Sequence, residues 1–327
     1  MTTNQMMGRV SELLKRYWMV LSYVVMVVIF NSITPQYLTL FNFRSILTQA
    51  AMLGIISSGM ALVMMARGVD LSIGAVAGVS TLAGMWPVVF GDLPLIFGFL
   101  ITMGVALTFG TVNGICISRF GVAPFVATLA TLFLAQGFEY LASDGGKSIS
   151  FGFPEAYRFL GSGTLGPVPM PIVIYLAIAT VLLIVTEFSP VGRKIRGTGL
   201  NQFASERSGI RIRYYTFIVY VLSALLAGVL GLVLGASQSY VSPGHGSSFL
   251  LDALLVVLLG KTLMNGRISI HSTALGAVFL RSFETGLAMA GTPVTIIAVL
   301  KGSLLVVVLL LTLIKQPKLG RGRVQSA

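Results

Sequence analysis

The sequence predicts an all-α integral membrane protein, a polytopic bundle of about ten transmembrane helices whose N-terminus and C-terminus are both cytoplasmic. Three observations lead to this class: a composition too apolar for a soluble domain, apolar segments of spanning length, and basic residues concentrated on one side of those segments. Hydrophobic residues make up 55% of the 327 residues, charged residues 10%, and the mean hydropathy is +0.92. A soluble domain carries about 25% charged residues and could not bury this much apolar surface.

One membrane domain is predicted over residues 18–314, because no long polar stretch interrupts the apolar segments from Trp18 to Ile314. Residues 1–17 are polar and basic and are expected to form an amphipathic segment on the cytoplasmic surface. The apolar run after them lacks a small-residue cleavage signature, which is typical of an uncleaved signal anchor. Residues 315–327 are expected to be a basic cytoplasmic tail.

The predicted spans are close to the length of about 20 residues that a helix needs to cross the hydrocarbon core. Gly and Pro residues within several of them leave their ends approximate. The ten segments are residues 18–34, 47–66, 71–90, 95–118, 122–142, 171–188, 214–238, 249–264, 269–290 and 294–314.

The basic residues give the orientation of these spans. Most of the 22 Lys and Arg residues fall in loops on one side, above all in the loop of residues 189–213. The loops on the other side keep only Arg44, Lys147 and Arg158. Because cytoplasmic loops carry the excess of Lys and Arg, the loop of residues 189–213 is predicted to be inside and the Gly- and Pro-rich loop of residues 143–170 outside.

The net charge of +12 follows from this asymmetry and does not indicate nucleic-acid binding, since aromatic residues are not interleaved with the basic ones. The single cysteine, Cys116, lies within an apolar segment, and His245 and His271 stand alone in separate regions. We therefore predict no disulfide framework, no metal site, no cofactor and no catalytic residues.

Two fragments imitate a phosphate-binding loop, at residues 146–148 and 260–262. Both lack the glycine that this loop needs five positions before the Gly-Lys pair, where Leu141 and Leu255 stand. Neither fragment is predicted to bind a nucleotide, so an ATP-driven step would require another polypeptide.

Polar residues within or beside the spans are the candidates for a translocation pathway. Asp70 and Ser72 stand where a new helix is predicted to begin, so they either cap its free amide groups or line a polar path. Asn113 lies in the fourth span, and a stripe in the fifth either bonds neighbouring helices or lines a passage for a hydroxylated solute. The stripe consists of Thr128, Thr131, Gln136 and Glu139.

The second half of the chain adds Asp252 to these candidates, together with Arg281, Glu284 and Lys301 inside predicted spans. Arg281 and Glu284 are three residues apart, so an ion pair within their own helix is favoured over a role in transport. Small residues spaced four apart are expected to let helices of the bundle approach closely, or alternatively to form a dimer face. These pairs are Gly74/Gly78, Gly110/Gly114 and Gly231/Gly235.

Four stretches in order resemble the permease subunit of bacterial ABC sugar importers of the ribose, xylose and galactose type, and the resemblance covers nearly the whole chain. The stretches are residues 68–74, then 113–114 with 124–129, then Gly199, Asn201 and Ala204 before Ser208-Gly209-Ile210, and finally residues 251–277.

The resemblance implies a transport function without enzymatic activity, in the bacterial inner membrane. It implies that two permeases, identical or related, form one pathway in the lipid, with an ATPase subunit inside and a periplasmic sugar-binding protein outside. The basic loop of residues 193–213 is then the expected ATPase contact, although its charge alone could serve only to fix topology. Its candidate coupling residues are Gly199, Asn201, Ala204, Glu206, Arg207, Ser208 and Gly209.

Two other classes of function remain open at this point. An ion-coupled secondary transporter would need Asp70, Glu139, Asp252 or Glu284 as ligands for its coupling ion. A membrane-embedded enzyme has less support, because no catalytic constellation is visible. A pentose, a hexose, a sugar alcohol and a sugar-like signalling molecule are all compatible substrates.

Overall fold

The structure is a computed structural model, and it describes residues 21–264 and 266–314. The predicted amphipathic segment 1–17 and the basic tail 315–327 lie outside the described residues. The described chain is built from helices joined by short connections, with one two-stranded hairpin.

Thirteen helices and two strands are described, together with a 3-10 turn at Pro35–Leu38 and a π-helical turn at Ile184–Phe188 that continues α7. The helices are α1 Leu21–Ile33, α2 Leu40–Met65, α3 Ile73–Phe90, α4 Leu95–Ser118, α5 Pro124–Ala142, α6 Glu155–Ser162, α7 Met170–Leu183, α8 Pro190–Leu200, α9 Gln202–Arg207, α10 Ile212–Gln238, α11 Ser248–Leu263, α12 Ile270–Met289 and α13 Val294–Ile314. The strands are β1 Thr164–Leu165 and β2 Val168–Pro169.

Six helices in the described part of the chain are long and apolar enough to cross a membrane: α2, α3, α4, α5, α10 and the helix formed by α7 with its π turn. This confirms a helical, multi-pass membrane protein. The four remaining predicted spans coincide with α1, α11, α12 and α13, of which α1 and α13 are shorter apolar helices within the described residues.

Helices α2, α3 and α10 form the centre of the bundle. Their most apolar windows are 83%, 72% and 67% buried, whereas the corresponding windows of α4, α5 and α7 are at most 28% buried. The outer faces of the peripheral helices are apolar, as Phe97, Phe133 and Val181 show. Apolar residues on the outside as well as the inside are what lipid as a solvent requires.

All six glycines of the predicted small-residue pairs serve packing inside this one chain. A Cβ on Gly231 of α10 would lie 2.3 Å from the carbonyl oxygen of Ala77 on α3, and one on Gly110 of α4 would lie 3.0 Å from the carbonyl oxygen of Tyr220 on α10. Gly74 contacts the backbone of Gly246 just as closely. These contacts support the packing interpretation, because at Gly231 and Gly110 a helix backbone lies directly against the glycine.

The two long loops are more ordered than a composition rich in Gly, Pro or basic residues suggests. Residues 143–170 contain α6 and the β1–β2 hairpin, and Tyr157 of α6 is fully buried. A single backbone bridge also joins Ile149 to Val241 at this end of the bundle. Residues 189–213 contain α8 and α9 at the opposite end of α10.

Candidate functional site

The first candidate region is the break between α2 and α3, which the sequence Arg67-Gly68-Val69-Asp70 forms. Arg67 adopts a left-handed φ of 68°, which turns the chain sharply after α2. Gly68 then passes beneath Tyr220, whose hydroxyl oxygen would lie 2.3 Å from a Cβ at that position. Tyr220 donates a 3.3 Å hydrogen bond to the carbonyl oxygen of Val69. The break is thereby held against α10.

A continuous buried hydrogen-bond network starts from the Asp70 carboxylate. Its Oδ1 accepts from the backbone amide of Ser72 at 3.0 Å and from the Ser72 hydroxyl at 2.6 Å, and its Oδ2 accepts from Ser223 of α10 at 2.8 Å. The amide of Asn113 on α4 donates to the Ser72 hydroxyl at 2.9 Å, and Thr131 on α5 donates to Asn113 Oδ1 at 2.6 Å. The network joins the break before α3 to three helices, α4, α5 and α10.

The donors follow one direction: Thr131 donates to Asn113, Asn113 to Ser72, and Ser72 to the carboxylate, to which Ser223 also donates. All members of the network are at most 3% exposed. An ionised carboxyl group only accepts hydrogen bonds, so this arrangement fits a charged Asp70. The Asp70 side chain accepts the amide of Ser72, the residue just before α3. Whether Asp70 mainly caps this helix or lines a polar path stays a prediction. Ser72 does not cap, because its hydroxyl is used by Asp70 and Asn113.

The other candidates of the fifth span separate into different surroundings. Thr128 is buried and donates to the carbonyl oxygen of Pro124 in its own helix, while Gln136 is half-buried. Glu139 is 1% exposed, and its Oε2 accepts from the backbone amide of Gly244 at 2.9 Å. Its Oε1 has no partner among the described residues and faces Gly78, where a Cβ would lie 1.9 Å away. The structure therefore brings Thr131 into the Asp70 network and leaves Glu139 apart.

Asp252 belongs to a four-membered ion cluster with Arg281, Glu284 and Lys301, which we call the α11–α13 cluster. Arg281 pairs with Glu284, which confirms the predicted ion pair within α12. Arg281 also approaches Asp252 at 3.2 Å, and Lys301 of α13 lies 2.8 Å from both Asp252 and Glu284. Two positive and two negative charges thus balance within three helices.

The α8–α9 segment has the form of a rigid platform. Asn201 ends α8 and caps α9 by accepting from the amide of Ala204 at 3.0 Å, and Ser205 donates to the carbonyl oxygen of Gly197 at 2.7 Å. Arg207 stacks on the ring of Phe203 at 4.3 Å. Glu206 and Arg207 lie in the short helix α9, which is preceded by α8.

Close contacts fix this platform to the bundle, and two large apolar side chains are exposed at its tip. A Cβ on Gly199 would lie 2.0 Å from the carbonyl oxygen of Met65, so α8 packs directly on the end of α2. Gly209 takes a φ of 76° to reverse the chain after Ser208. Leu200 and Phe203 are 82% and 65% exposed at the tip.

Glu187 is a residue that sequence reasoning missed. Its carboxylate pairs with Arg196 of α8 through one oxygen and with Arg267, in the connection between α11 and α12, through the other at 3.0 Å. Arg196 also donates to the carbonyl oxygen of Thr186 at 2.8 Å. One carboxylate therefore links α7, the platform and the start of α12. In the sequence, Glu187 could have been recognised only as an acidic residue at the end of an apolar span.

The family model described as "Branched-chain amino acid transport system / permease component" matches residues 42–312. The chain belongs to this permease family. The permease is similar to the ribose import permease of Bacillus subtilis, with 29% identity over 88% of its own length and 89% of the relative's. It is 31% identical to the galactofuranose transporter permease of Escherichia coli over 81% of its own length and 77% of the relative's. It is 27% identical to the D-allose transport system permease of Escherichia coli, over 80% and 81% of the two lengths.

A solved structure described as an inward-facing conformation of a metal-chelate type ABC transporter shares the fold of the permease. The TM-score is 0.52 at 18% identity, over 90% of the permease and 97% of that chain. The resemblance to permeases of ABC sugar importers is confirmed by these relatives. The permease is a transport subunit of an ABC importer and not an enzyme, and an ion-coupled secondary transporter is not favoured.

Proposed function

We propose that the permease forms the translocation pathway for a neutral sugar or sugar-like solute in the bacterial inner membrane. A separate ATPase subunit drives it and a periplasmic binding protein delivers the solute. The observation that carries this proposal is the similarity along most of the chain to import permeases named for ribose, galactofuranose and D-allose. The different sugars in these names leave several pentoses and hexoses as candidates.

The proposed arrangement has ten spans, both termini inside and two permease copies, identical or related, around one pathway. The concentration of basic residues in the loop of residues 189–213 supports the orientation. The count of ten is supported by the apolar segment of residues 18–34 and by the presence of α11, α12 and α13 at the predicted positions. The fragments at residues 146–148 and 260–262 lack the glycine of a phosphate-binding loop, so the nucleotide site is assigned to the partner ATPase.

Uptake into proteoliposomes tests the proposed function. The permease is reconstituted with a candidate ATPase subunit and a candidate binding protein, and entry of labelled D-ribose, D-allose and D-galactose is measured. We expect uptake of at least one of these sugars only with ATP, because the energy must come from the partner subunit. Uptake driven by a proton or sodium gradient without ATP, or no uptake of any sugar, would overturn the proposal.

Phe203→Asp is expected to abolish co-purification of the ATPase with the permease in mild detergent and to reduce ATP-driven uptake at least about tenfold. The ring is 65% exposed at the tip of the α8–α9 platform, so it is available to fill a hydrophobic pocket on the ATPase. A buried aspartate in that pocket would be an unpaired charge.

Phe151→Asp is the matched control for this variant. Phe151 is 67% exposed but lies in the loop of residues 143–170 at the opposite end of the bundle. The ATPase should co-purify with Phe151→Asp as it does with the wild type. Retention of the ATPase by Phe203→Asp, or equal loss in both variants, would remove the platform from the proposed contact.

A further inference from the structure

A cavity of about 530 Å³ lies between α2, α12 and α13. Ligand sites commonly have volumes of about 300–1,000 Å³, so this one can hold a monosaccharide. Three of its lining residues belong to the α11–α13 cluster, and two others are uncharged polar residues of α2 and α12. These five are Gln49, Arg281, Glu284, Thr285 and Lys301.

The cavity lies at the end of the bundle opposite the α8–α9 platform. The ion pair between Glu187 and Arg267 places the start of α12 beside the platform, so the end of α12 and the start of α13 are remote from it. Glu284 and Lys301 lie within about two helical turns of that remote end. In the proposed orientation the cavity therefore lies in the outer half of the bundle, the side on which the binding protein releases solute.

Its charges are balanced and held in place. Lys301 lies 2.8 Å from both Asp252 and Glu284, and Arg281 bridges the same two carboxylates. Because the cluster carries no net charge, a neutral solute binds without leaving any of its ions unpaired. A charged solute would disturb this balance.

The donors and acceptors of the cavity match those of a polyol. Carboxylates accept hydrogen bonds from hydroxyl groups, while ammonium and guanidinium groups donate to them. The Nε of Arg281 is buried and has no acceptor among the described residues, so one strong donor remains to be satisfied. Ile297, Ala298 and Met289 supply an apolar wall suited to the C–H face of a sugar ring.

We propose that this cavity, with the α11–α13 cluster at its base, is a substrate subsite that receives a neutral polyhydroxylated solute from the outer face. The proposal rests on the proposed function as a sugar permease. It assigns the lining residues Arg281, Glu284 and Lys301 to solute recognition, and Asp252 to holding Arg281 and Lys301 in place. The Asp70 network, in contrast, is fully satisfied by protein groups.

Cysteine labelling tests the subsite without ATP or ATPase. In a Cys116→Ala background, Ala298→Cys is exposed from the outside to an uncharged, hydroxylated thiol reagent that does not cross the membrane. We expect labelling, and at least a threefold slower rate (roughly 0.7 kcal/mol) in saturating D-ribose or D-allose but not in choline. The matched control is Ala83→Cys, which lines a cavity of about 500 Å³ between α3, α4 and α5 whose wall is nearly all apolar. It should stay unlabelled.

Failure of Ala298→Cys to react, or labelling that no sugar slows, overturns the subsite. Equal protection by choline and sugar overturns its selectivity for neutral solutes. In a second measurement, the large side chain of Ala298→Trp fills the cavity and should reduce ATP-driven uptake at least about tenfold. Ala83→Trp should retain that uptake. If the wild type takes up no sugar in proteoliposomes, the proposed function fails by itself, since labelling and protection are measured independently of transport.

Discussion

Asp70→Ala is expected to lower the free energy of unfolding by at least about 3 kcal/mol, because three donors lose their acceptor at once and each buried unsatisfied group costs about 1–3 kcal/mol. These donors are the amide and hydroxyl of Ser72 and the hydroxyl of Ser223. Asp70→Asn should cost less, about 1 kcal/mol, since the serine hydroxyls can rotate to accept from the new amide. Unfolding of the purified permease in mixed micelles by a denaturing detergent measures both changes.

The control for Asp70 is Asp144→Asn. Asp144 is exposed and pairs with Lys147 in a loop, so its loss should change the free energy of unfolding by less than about 1 kcal/mol. Wild-type stability of Asp70→Ala would contradict the structural role of the network. Full stability of Asp70→Asn combined with loss of ATP-driven uptake would instead assign the charge of Asp70 to the transport pathway.

Gly231→Ala is expected to destabilise the bundle by about 2–4 kcal/mol, an unusually large effect for one methyl group. The added Cβ would lie 2.0 Å from the hydroxyl oxygen of Thr81 and 2.3 Å from the carbonyl oxygen of Ala77. The second atom belongs to the backbone of α3, so relief requires α3 and α10 to move apart. Both helices are at the centre of the bundle, and their separation would also strain the contact of Asp70 with Ser223.

Gly104→Ala provides the matched control, since Gly104 lies in the middle of α4 with no atom within 4 Å of the added Cβ. In an exposed helix interior, alanine is favoured over glycine by up to about 1 kcal/mol, so this variant should be as stable as the wild type or more stable. The same unfolding titration serves both variants. Similar stability in Gly231→Ala and Gly104→Ala would show that α3 and α10 do not pack as closely as described.

The sequence alone determined the helical membrane class and the positions of six spans. These features depend on local properties, namely apolar runs of spanning length and basic residues in flanking loops. The ATPase-loop candidates rest on the resemblance to sugar-importer permeases and stay a prediction. The Arg281–Glu284 pair could also be predicted, because residues three apart share a helix face.

Only the tertiary structure decided which polar residues meet. Asp70 and Ser223 are 153 residues apart, Asp252 and Lys301 are 49 apart, and Glu187 and Arg267 are 80 apart. No local pattern carries such pairings, because they result from the order in which α2, α3, α10 and α11–α13 pack against one another. Hydropathy defines the spans from neighbouring residues, whereas the partner of a buried charge depends on the packing of the whole bundle.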